Sequence, residues 1–166
     1  MADENALKKF IMPGLSRRYL TRVGIVALTA WMVFSYLLIP IRINGMSMEP
    51  AYHDGGFNFI FSPYGIISEY KRHDVVGVRL AGKSVMLLKR IVALEGETVE
   101  FRKGKLYVDG EAVKEDYIKF PCDWELAPRK VEKGKVYVVG DNRDMDMKNH
   151  VFGQSDLERI VGVPLW

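Results

Sequence analysis

The chain reads Ile43-Asn44-Gly45-Met46-Ser47-Met48-Glu49-Pro50 directly after its only apolar segment of membrane-spanning length. Ser47 lies between two methionines, two residues after a glycine and three residues before a proline. A serine hydroxyl is a weak nucleophile until a nearby base takes its proton. We interpret Ser47 as a candidate nucleophile on a short irregular segment close to a bilayer. The alternative is an ordinary turn that follows a membrane helix.

Lys89 is the base that we predict for Ser47, and residues 85–92 around it read Val-Met-Leu-Leu-Lys-Arg-Ile-Val. In a strand, Leu87, Lys89 and Ile91 share one face, and because both faces are largely apolar we expect the strand to be buried. A base must be a neutral amine, whereas a free lysine has a pKa of about 10.4. Burial lowers that pKa, and we expect the positive charge of Arg90 to lower it further. A lone lysine that points to solvent is the alternative.

A run of nineteen uncharged residues, 23–41, separates Arg22 from Arg42. At about 1.5 Å of rise per residue, a helix of this length spans most of a hydrocarbon core of about 30 Å, and Pro40 predicts its end. The run has no polar face, which favours a membrane span over a buried core helix. A cleaved secretory signal would need small residues before the cleavage site. Residues 39–45 offer no such pair, so we predict an uncleaved anchor.

The charges beside the apolar run predict its orientation. Before it stand five basic residues and two acidic ones, namely Lys8, Lys9, Arg17, Arg18 and Arg22 against Asp3 and Glu4. Basic residues next to a membrane span stay on the cytoplasmic side. We therefore predict a cytoplasmic N-terminal segment (1–22), a transmembrane helix (23–41) and an extracytoplasmic catalytic domain (42–166).

Alternating apolar residues and turn signals predict that residues 42–166 form a mainly β domain. The predicted strands are residues 57–61, 74–80, 85–92, 98–101, 105–108, 136–139 and 159–163. Lys103-Gly104 predicts a tight hairpin between two of them, and Asp109-Gly110 predicts the next turn. Ser155 and Glu158 have capping-box spacing and predict one helical turn. We assign no element to residues 114–130.

Composition narrows the classes of function. The 166 residues suffice for one ordinary domain plus an anchor, and 27% charged residues are typical of a globular chain. The net charge of +3, without a basic block interleaved with aromatics, does not indicate a nucleic-acid partner. Cys122 is the only cysteine, which excludes an intrachain disulfide and a multi-cysteine metal site. The three histidines lack metal-ligand spacing, so we expect no metal and no cofactor.

Six short motifs occur in an order and spacing that resemble those of bacterial type I signal peptidases. These are membrane-bound serine proteases of the S26 peptidase family, and they remove signal peptides from exported proteins. The motifs are Gly-x-Ser-Met-x-Pro at 45–50, Ala-Tyr-His-Asp-Gly at 51–55, His-Asp-Val-Val at 73–76, Leu-Lys-Arg-Ile-Val-Ala-Leu-Glu-Gly-Glu at 88–97, Lys-Leu-Tyr-Val-Asp-Gly at 105–110 and Gly-Asp-Asn-Arg-Asp at 140–144. The resemblance covers nearly the whole chain, from the anchor to the C-terminus.

The resemblance implies both a fold and a site. The fold is a mainly β, signal-peptidase-like barrel or sheet domain with one N-terminal transmembrane helix and a catalytic face near the membrane. Ser47 is implied as the nucleophile and Lys89 as the general base, without a metal. The residues assigned to substrate binding are Ile41, Ile43, Gly45, Met46, Leu87 and Leu88. The residues expected to support the site are Asp74, Arg90, Asp141, Asn142 and Asp146.

The resemblance also implies a setting. A lysine at position 89, where relatives from the endoplasmic reticulum carry histidine, indicates the bacterial type. Gly45 matches the branch that lacks a hydroxyl donor there, so the backbone N–H of Ser47 is the expected donor to the oxyanion. The implied partners are exported preproteins and the lipid bilayer, and the expected assembly is a monomer. The implied location is the bacterial inner (plasma) membrane.

The last motif departs from the family pattern. The family usually continues Asn-Ser-x-Asp-Ser-Arg-x-x-Gly, whereas residues 145–153 read Met-Asp-Met-Lys-Asn-His-Val-Phe-Gly. Asp146 replaces the serine that commonly hydrogen-bonds the lysine, and Lys148 and His150 take the acidic and basic positions. An aspartate beside Lys89 would favour the ammonium form. Three alternatives follow: the loop is arranged differently, Lys89 is less well tuned, or activity is reduced.

Three other functions fit parts of this pattern. A catalytically weak paralogue would bind export substrates without cutting them, and the altered last motif is its support. The self-cleaving Ser/Lys domain of SOS-type repressors shares the Ser-Met and lysine pattern, but it comes with a DNA-binding domain where this chain has an anchor. A plain membrane-tethered β domain leaves the ordered serine and lysine motifs unexplained.

Overall fold

The structure is a computed structural model that describes residues 16–81, 85–119, 122–149 and 153–166. Helix α1 (Arg17–Met32) begins after Ser16, whose hydroxyl accepts a hydrogen bond from the Tyr19 amide over 3.2 Å. A π-helical turn (Val33–Leu37) continues it. Together they form a helical segment of 21 residues, Arg17–Leu37, which by length and composition is able to cross a membrane. Residues 1–15 of the predicted cytoplasmic segment (1–22) lie outside the described residues.

The structure differs from the sequence prediction in where the apolar helix begins and ends. We predicted helix for residues 23–41, whereas the helical segment is Arg17–Leu37 and residues 38–41 belong to strand β1 (Leu38–Arg42). Pro40 therefore does not end a helix; it lies in β1 opposite Phe59. β1 is an edge strand, where a proline removes no interior hydrogen bond. A continuous apolar run does not show where a membrane helix gives way to a half-buried strand.

Seven antiparallel strands form the sheet that carries the candidate site. Besides β1 they are β2 (Phe57–Phe61), β3 (Val75–Ala81), β4 (Val85–Ala93), β9 (Lys135–Val139), β10 (Gly153–Asp156) and β11 (Ile160–Pro164). Their order is β1-β2-β11-β3-β4-β9-β10. The short helix α2 (Tyr64–Ile67) follows β2. β4 pairs with β3 on one side and with β9 on the other, so Lys89 lies in an interior strand.

A second sheet of four antiparallel strands packs beside the first. Its strands are β5 (Thr98–Arg102), β6 (Lys105–Val108), β7 (Glu111–Ala112) and β8 (Leu126–Lys130), in the order β7-β6-β5-β8. Lys103 and Gly104 join β5 to β6 with φ values of 48° and 74°. Positive φ at both central residues is the geometry of a type I′ turn, so the predicted hairpin is confirmed.

Among the described residues, the buried apolar side chains form three clusters, and each of them contains at least one residue of β4. One contains Ile43, Met48, Ile60 and Leu88. Another contains Val76, Val78, Ile91, Val136 and Val138. The third cluster fills the space under the second sheet, around Phe101 and Trp124. β4 is thus covered on both faces, as the apolar character of residues 85–92 predicts.

The mainly β prediction is confirmed, and the predicted strands are present with ends shifted by about a residue. The predicted helical turn is only partly right: Ser155 lies in β10, and a 3-10 turn covers Leu157–Arg159. Residues 114–130, to which the sequence assigned no element, include β8. His150 lies outside the described residues.

Candidate active site

Ser47 and Lys89 meet although they are 42 positions apart in the sequence. Lys89 Nζ donates a hydrogen bond to Ser47 Oγ over 2.6 Å, and Lys89 is 2% exposed. Lys89 lies in β4, opposite Val76 in β3. The serine comes from the turn that follows β1. The two sequence-predicted catalytic residues are therefore in direct contact.

The segment that carries Ser47 is fixed on both sides of the serine. Met48, 2% exposed, anchors it in the cluster with Ile43, Ile60 and Leu88. Gly45 has a φ of +95°, a conformation that favours glycine, and its amide donates to Asp54 Oδ1 over 2.7 Å. No pattern in the sequence indicates Asp54 as a partner of Gly45, although Asp54 lies in the second motif, residues 51–55.

Asn142 fixes the same segment from the loop after β9. Its backbone N–H donates to Ser47 O over 3.0 Å, and its side-chain Nδ2 donates to Met46 O over 3.1 Å. Asn142 therefore holds the backbone carbonyls immediately before and after the Cα of Ser47. These two hydrogen bonds are a physical basis for the supporting role that the resemblance implies for Asn142.

Burial lowers the pKa of Lys89 to about 8, and the Asp141 carboxylate acts in the opposite direction. The amine is consequently neutral in about half of the molecules at pH 8, whereas a solvent-exposed lysine would be almost wholly charged. We expected the charge of Arg90 to lower this pKa as well. The structure instead turns the Arg90 guanidinium toward Asp141 and the His73 carbonyl.

Arg90 and Asp141 form a buried ion pair next to Lys89. Arg90 Nε lies 2.8 Å from Asp141 Oδ1, and Nη2 lies 2.5 Å from Oδ2. Arg90 Nη1 also donates to the carbonyl of His73 over 2.8 Å. The Asp141 side chain is fully buried and that of Arg90 is 12% exposed. This bidentate pair joins β4 to the loop that carries Asn142.

Two of the expected supporting residues lie elsewhere. The Asp74 carboxylate accepts from the Lys71 amide over 2.8 Å and so shapes the turn before β3. Asp146 accepts from the Lys148 amide over 3.0 Å and lines a cavity with Cys122, Trp124 and other residues, away from Lys89. Asp146 is not among the groups that shift the pKa of Lys89, so the aspartate of the altered motif does not have the effect on the lysine that its position in the sequence suggests. Asp141 is the carboxylate that raises the pKa of Lys89.

A small cavity of about 20 Å³ opens beside Ser47, between the end of β1 and the middle of β4. Of the six residues assigned to substrate binding, five line it: Ile41, Ile43, Gly45, Leu87 and Leu88. Met46 does not line the cavity; the residue is 55% exposed, and its carbonyl accepts a hydrogen bond from Asn142. A larger cavity of about 930 Å³ contains neither Ser47 nor Lys89 in its lining. We place the candidate active site at the small cavity because Ser47, which Lys89 contacts, lines it.

No sequence pattern indicates the side chains that pack behind the Arg90–Asp141 ion pair. Glu115 and Tyr117 lie within the stretch that was left unassigned, and they contact Arg143 and Arg90. Regular alternation would have revealed a strand, but this segment is irregular, so its contacts appear only in three dimensions.

The chain is similar to several known proteins. A family model described as signal peptidase, peptidase S26, matches residues 16–165. Signal peptidase I of Bacillus licheniformis is 32% identical over 150 residues, covering 83% of this chain and 80% of that protein. Signal peptidase I T of Bacillus subtilis (strain 168) is 33% identical over 152 residues, covering 84% and 78%. A crystal structure of a signal peptidase I from Enterococcus faecalis V583 has 25% identity and a TM-score of 0.48, covering 58% of this chain and 97% of that one.

Proposed function

Because the chain belongs to the signal peptidase family of S26 peptidases, we propose that it is a membrane-anchored serine endopeptidase that removes signal peptides with a Ser47–Lys89 dyad. The family makes the chain a hydrolase whose substrates are exported preproteins. The dyad is the finer part of the proposal. The single observation that carries it is the 2.6 Å contact between Ser47 Oγ and the buried Lys89 Nζ.

The geometry supports a two-step acyl transfer. In the neutral form of Lys89, the Ser47 hydroxyl donates its proton to Nζ while Oγ attacks the scissile carbonyl carbon. The resulting ammonium gives that proton to the departing amine, the C–N bond breaks, and an ester links Ser47 to the signal peptide. Lys89, neutral again, takes a proton from water, which attacks the ester. The ammonium then returns the proton to Ser47 Oγ, so the enzyme is regenerated.

Charge on the carbonyl oxygen needs fixed donors in this mechanism. We propose the Ser47 backbone N–H for this role. Asn142 holds the Met46 carbonyl, which shares a peptide plane with this N–H, and the Ser47 carbonyl, so the direction in which the N–H points is fixed. The positive φ of Gly45 turns the chain beside it. Because no side-chain donor stands at position 45, the backbone supplies the stabilisation.

The size of the cavity beside Ser47 predicts specificity for small side chains at the cleavage site. We expect that replacing Ala by Trp at the minus-one position of a preprotein lowers kcat/KM by about 100-fold or more, because a cavity of about 20 Å³ does not admit an indole. The measurement is the rate of preprotein cleavage by the full-length chain in detergent. The matched control is the same replacement at minus two, since alternate side chains of an extended peptide point to opposite sides.

This experiment also tests the function itself. Cleavage of the parent preprotein that Ser47→Ala abolishes supports the peptidase, and binding of the preprotein without cleavage would indicate the weak paralogue instead. Equal cleavage of the Ala and Trp substrates would contradict a signal-peptidase-type groove.

The basic residues at the start of α1 support the proposed orientation. Arg17, Arg18 and Arg22 lie in its first two turns, and positive charges favour the cytoplasmic side. We propose a single-pass protein of the bacterial inner membrane with its N-terminus in the cytoplasm. A reporter that is active only outside the cytoplasm should be active when fused after Trp166 and inactive when fused before Arg17. The reverse pattern would contradict the orientation.

A further inference from the structure

The segment between β7 and β8 turns two polar side chains inward. Lys114 and Asp116 are exposed, whereas Glu115 and Tyr117 point toward the protein and are half-buried or better. The Glu115 side chain is only 9% exposed. Two backbone hydrogen bonds fix the direction of this segment. The Val113 amide donates to the Leu106 carbonyl over 2.9 Å, and the Ile118 amide donates to the Glu115 carbonyl over 3.1 Å. A buried carboxylate needs partners, and the contacts of Glu115 show which ones.

Glu115 binds the buried guanidinium of Arg143. Glu115 Oε1 lies 2.6 Å from Arg143 Nη2, and Oε2 lies 3.3 Å from Nη1. Arg143 is 1% exposed, and its Nε donates to the carbonyl of Gly140 over 2.8 Å. Arg143 therefore closes the loop 140–143 on itself, and Glu115 supplies the charge that compensates the buried arginine.

Tyr117 covers the other arginine. The guanidinium carbon of Arg90 lies 4.0 Å from the centre of the Tyr117 ring, a cation–π contact. The Tyr117 hydroxyl donates to Glu115 Oε1 over 2.5 Å, which orients the ring. Arg90 in turn holds Asp141 through two hydrogen bonds.

These contacts form a closed circuit, from Arg90 to Asp141, along the loop to Arg143, to Glu115, to Tyr117 and back to Arg90. The circuit holds both Asp141 and the far end of the loop 140–143. Asn142, between them, is the residue that binds the backbone of Met46 and Ser47. We propose that Glu115 and Tyr117 are positioning residues of the catalytic site, which act on Ser47 and Lys89 through Arg143 and Arg90. This inference rests on the dyad proposed above.

The surroundings of Lys89 make this role measurable. Among the described residues, the charged groups nearby are Arg90 on its own strand and Asp141 on the loop after β9, and the titratable His73 imidazole lies with Nδ1 3.4 Å from the Tyr117 hydroxyl. Tyr52, on the turn after Ser47, lies close enough to both to sense their charges. Asp141 raises the pKa of Lys89, and Arg90 neutralises Asp141. If the Tyr117 ring is lost, Arg90 is held less firmly, the field of Asp141 at Lys89 grows, and the acidic limb of the pH–rate profile moves to higher pH.

The experiment compares four variants of the full-length chain in detergent, with preprotein cleavage measured across pH. Tyr117→Leu removes the ring, and Tyr117→Phe keeps it over Arg90 but removes the hydroxyl. Glu115→Gln removes the carboxylate that faces Arg143. Asp116→Asn is the matched control, because it removes the same charge from the neighbouring residue, whose side chain is exposed. Rates are normalised to the folded fraction.

We expect Tyr117→Leu to lower kcat at pH 8 by about three- to tenfold, with KM changed by less than about twofold and the acidic limb moved to higher pH. Tyr117→Phe should restore the position of the limb, Glu115→Gln should lower kcat, and Asp116→Asn should match the parent. An unmoved limb in Tyr117→Leu, or a loss that is uniform with pH and follows thermal stability alone, would overturn the positioning role. Failure of the proposed function is distinct, since the parent itself would then not cleave the preprotein.

Discussion

Replacing Ser47 by alanine, or Lys89 by alanine, is expected to lower preprotein cleavage by about a thousandfold or more, and the double variant should be no slower than either single one. The first change removes the nucleophile, and the second leaves the hydroxyl without an acceptor for its proton. Two groups that act as a unit give losses that are far from additive. The measurement is the single-turnover cleavage rate of the full-length chain in detergent.

Two further variants sharpen this prediction. Lys89→Arg keeps a positive charge but supplies no neutral amine, because guanidinium does not deprotonate in proteins, and it should be as inactive as Lys89→Ala. Lys105→Ala is the matched control, since Lys105 is a strand lysine with an exposed side chain in β6. Additive losses in the double variant would show that Ser47 and Lys89 act separately.

Replacing Asp141 by alanine is expected to lower the free energy of unfolding by about 3–5 kcal/mol, because the substitution leaves Arg90 largely buried without its anion. The same change should lower the pKa of Lys89, since Asp141 is the group that raises it. Any residual cleavage should therefore show its acidic limb at lower pH. Denaturant unfolding followed by tryptophan fluorescence measures the first effect.

The double variant Arg90→Met with Asp141→Leu separates the ion pair from its surroundings. Removing both charges leaves no unpaired charge, and only the His73 carbonyl loses its Arg90 donor, so most of the lost stability should return. Asp116→Ala is the control, and it should change the free energy of unfolding by less than about 0.5 kcal/mol because the Lys114–Asp116 pair is exposed. A double variant as unstable as Asp141→Ala would mean that the pair is not what Asp141 contributes.

The β domain was predictable because its strands and turns have patterns that are visible in short stretches of sequence. Alternation and turn residues located β4 and the hairpin at Lys103-Gly104 to within a residue. The start of β1 was not predictable, since Leu38–Arg42 begins with the apolar residues that also suit a membrane helix. Hydrophobic pattern alone does not separate these two environments.

The site was predictable in its residue types and less so in its contacts. Apolar neighbours predicted the burial of Lys89, and the motif spacing predicted Ser47 as its partner. The position of Asp146 was not predictable, because loop conformation depends on contacts that no periodic pattern encodes. Glu115 and Arg143 meet across 28 positions of irregular chain, so their pairing becomes visible only once the fold brings them together.

The dyad is tested most directly by the pH dependence of kcat/KM for preprotein cleavage. Its acidic limb reports the pKa of the essential base in the free enzyme. Because burial lowers the pKa of Lys89 to about 8, cleavage should rise with pH and reach half its maximum at about pH 8. A limb at the ordinary lysine pKa of about 10.4, or a rate that does not change with pH through this range, would contradict a neutral Lys89 as the base for Ser47.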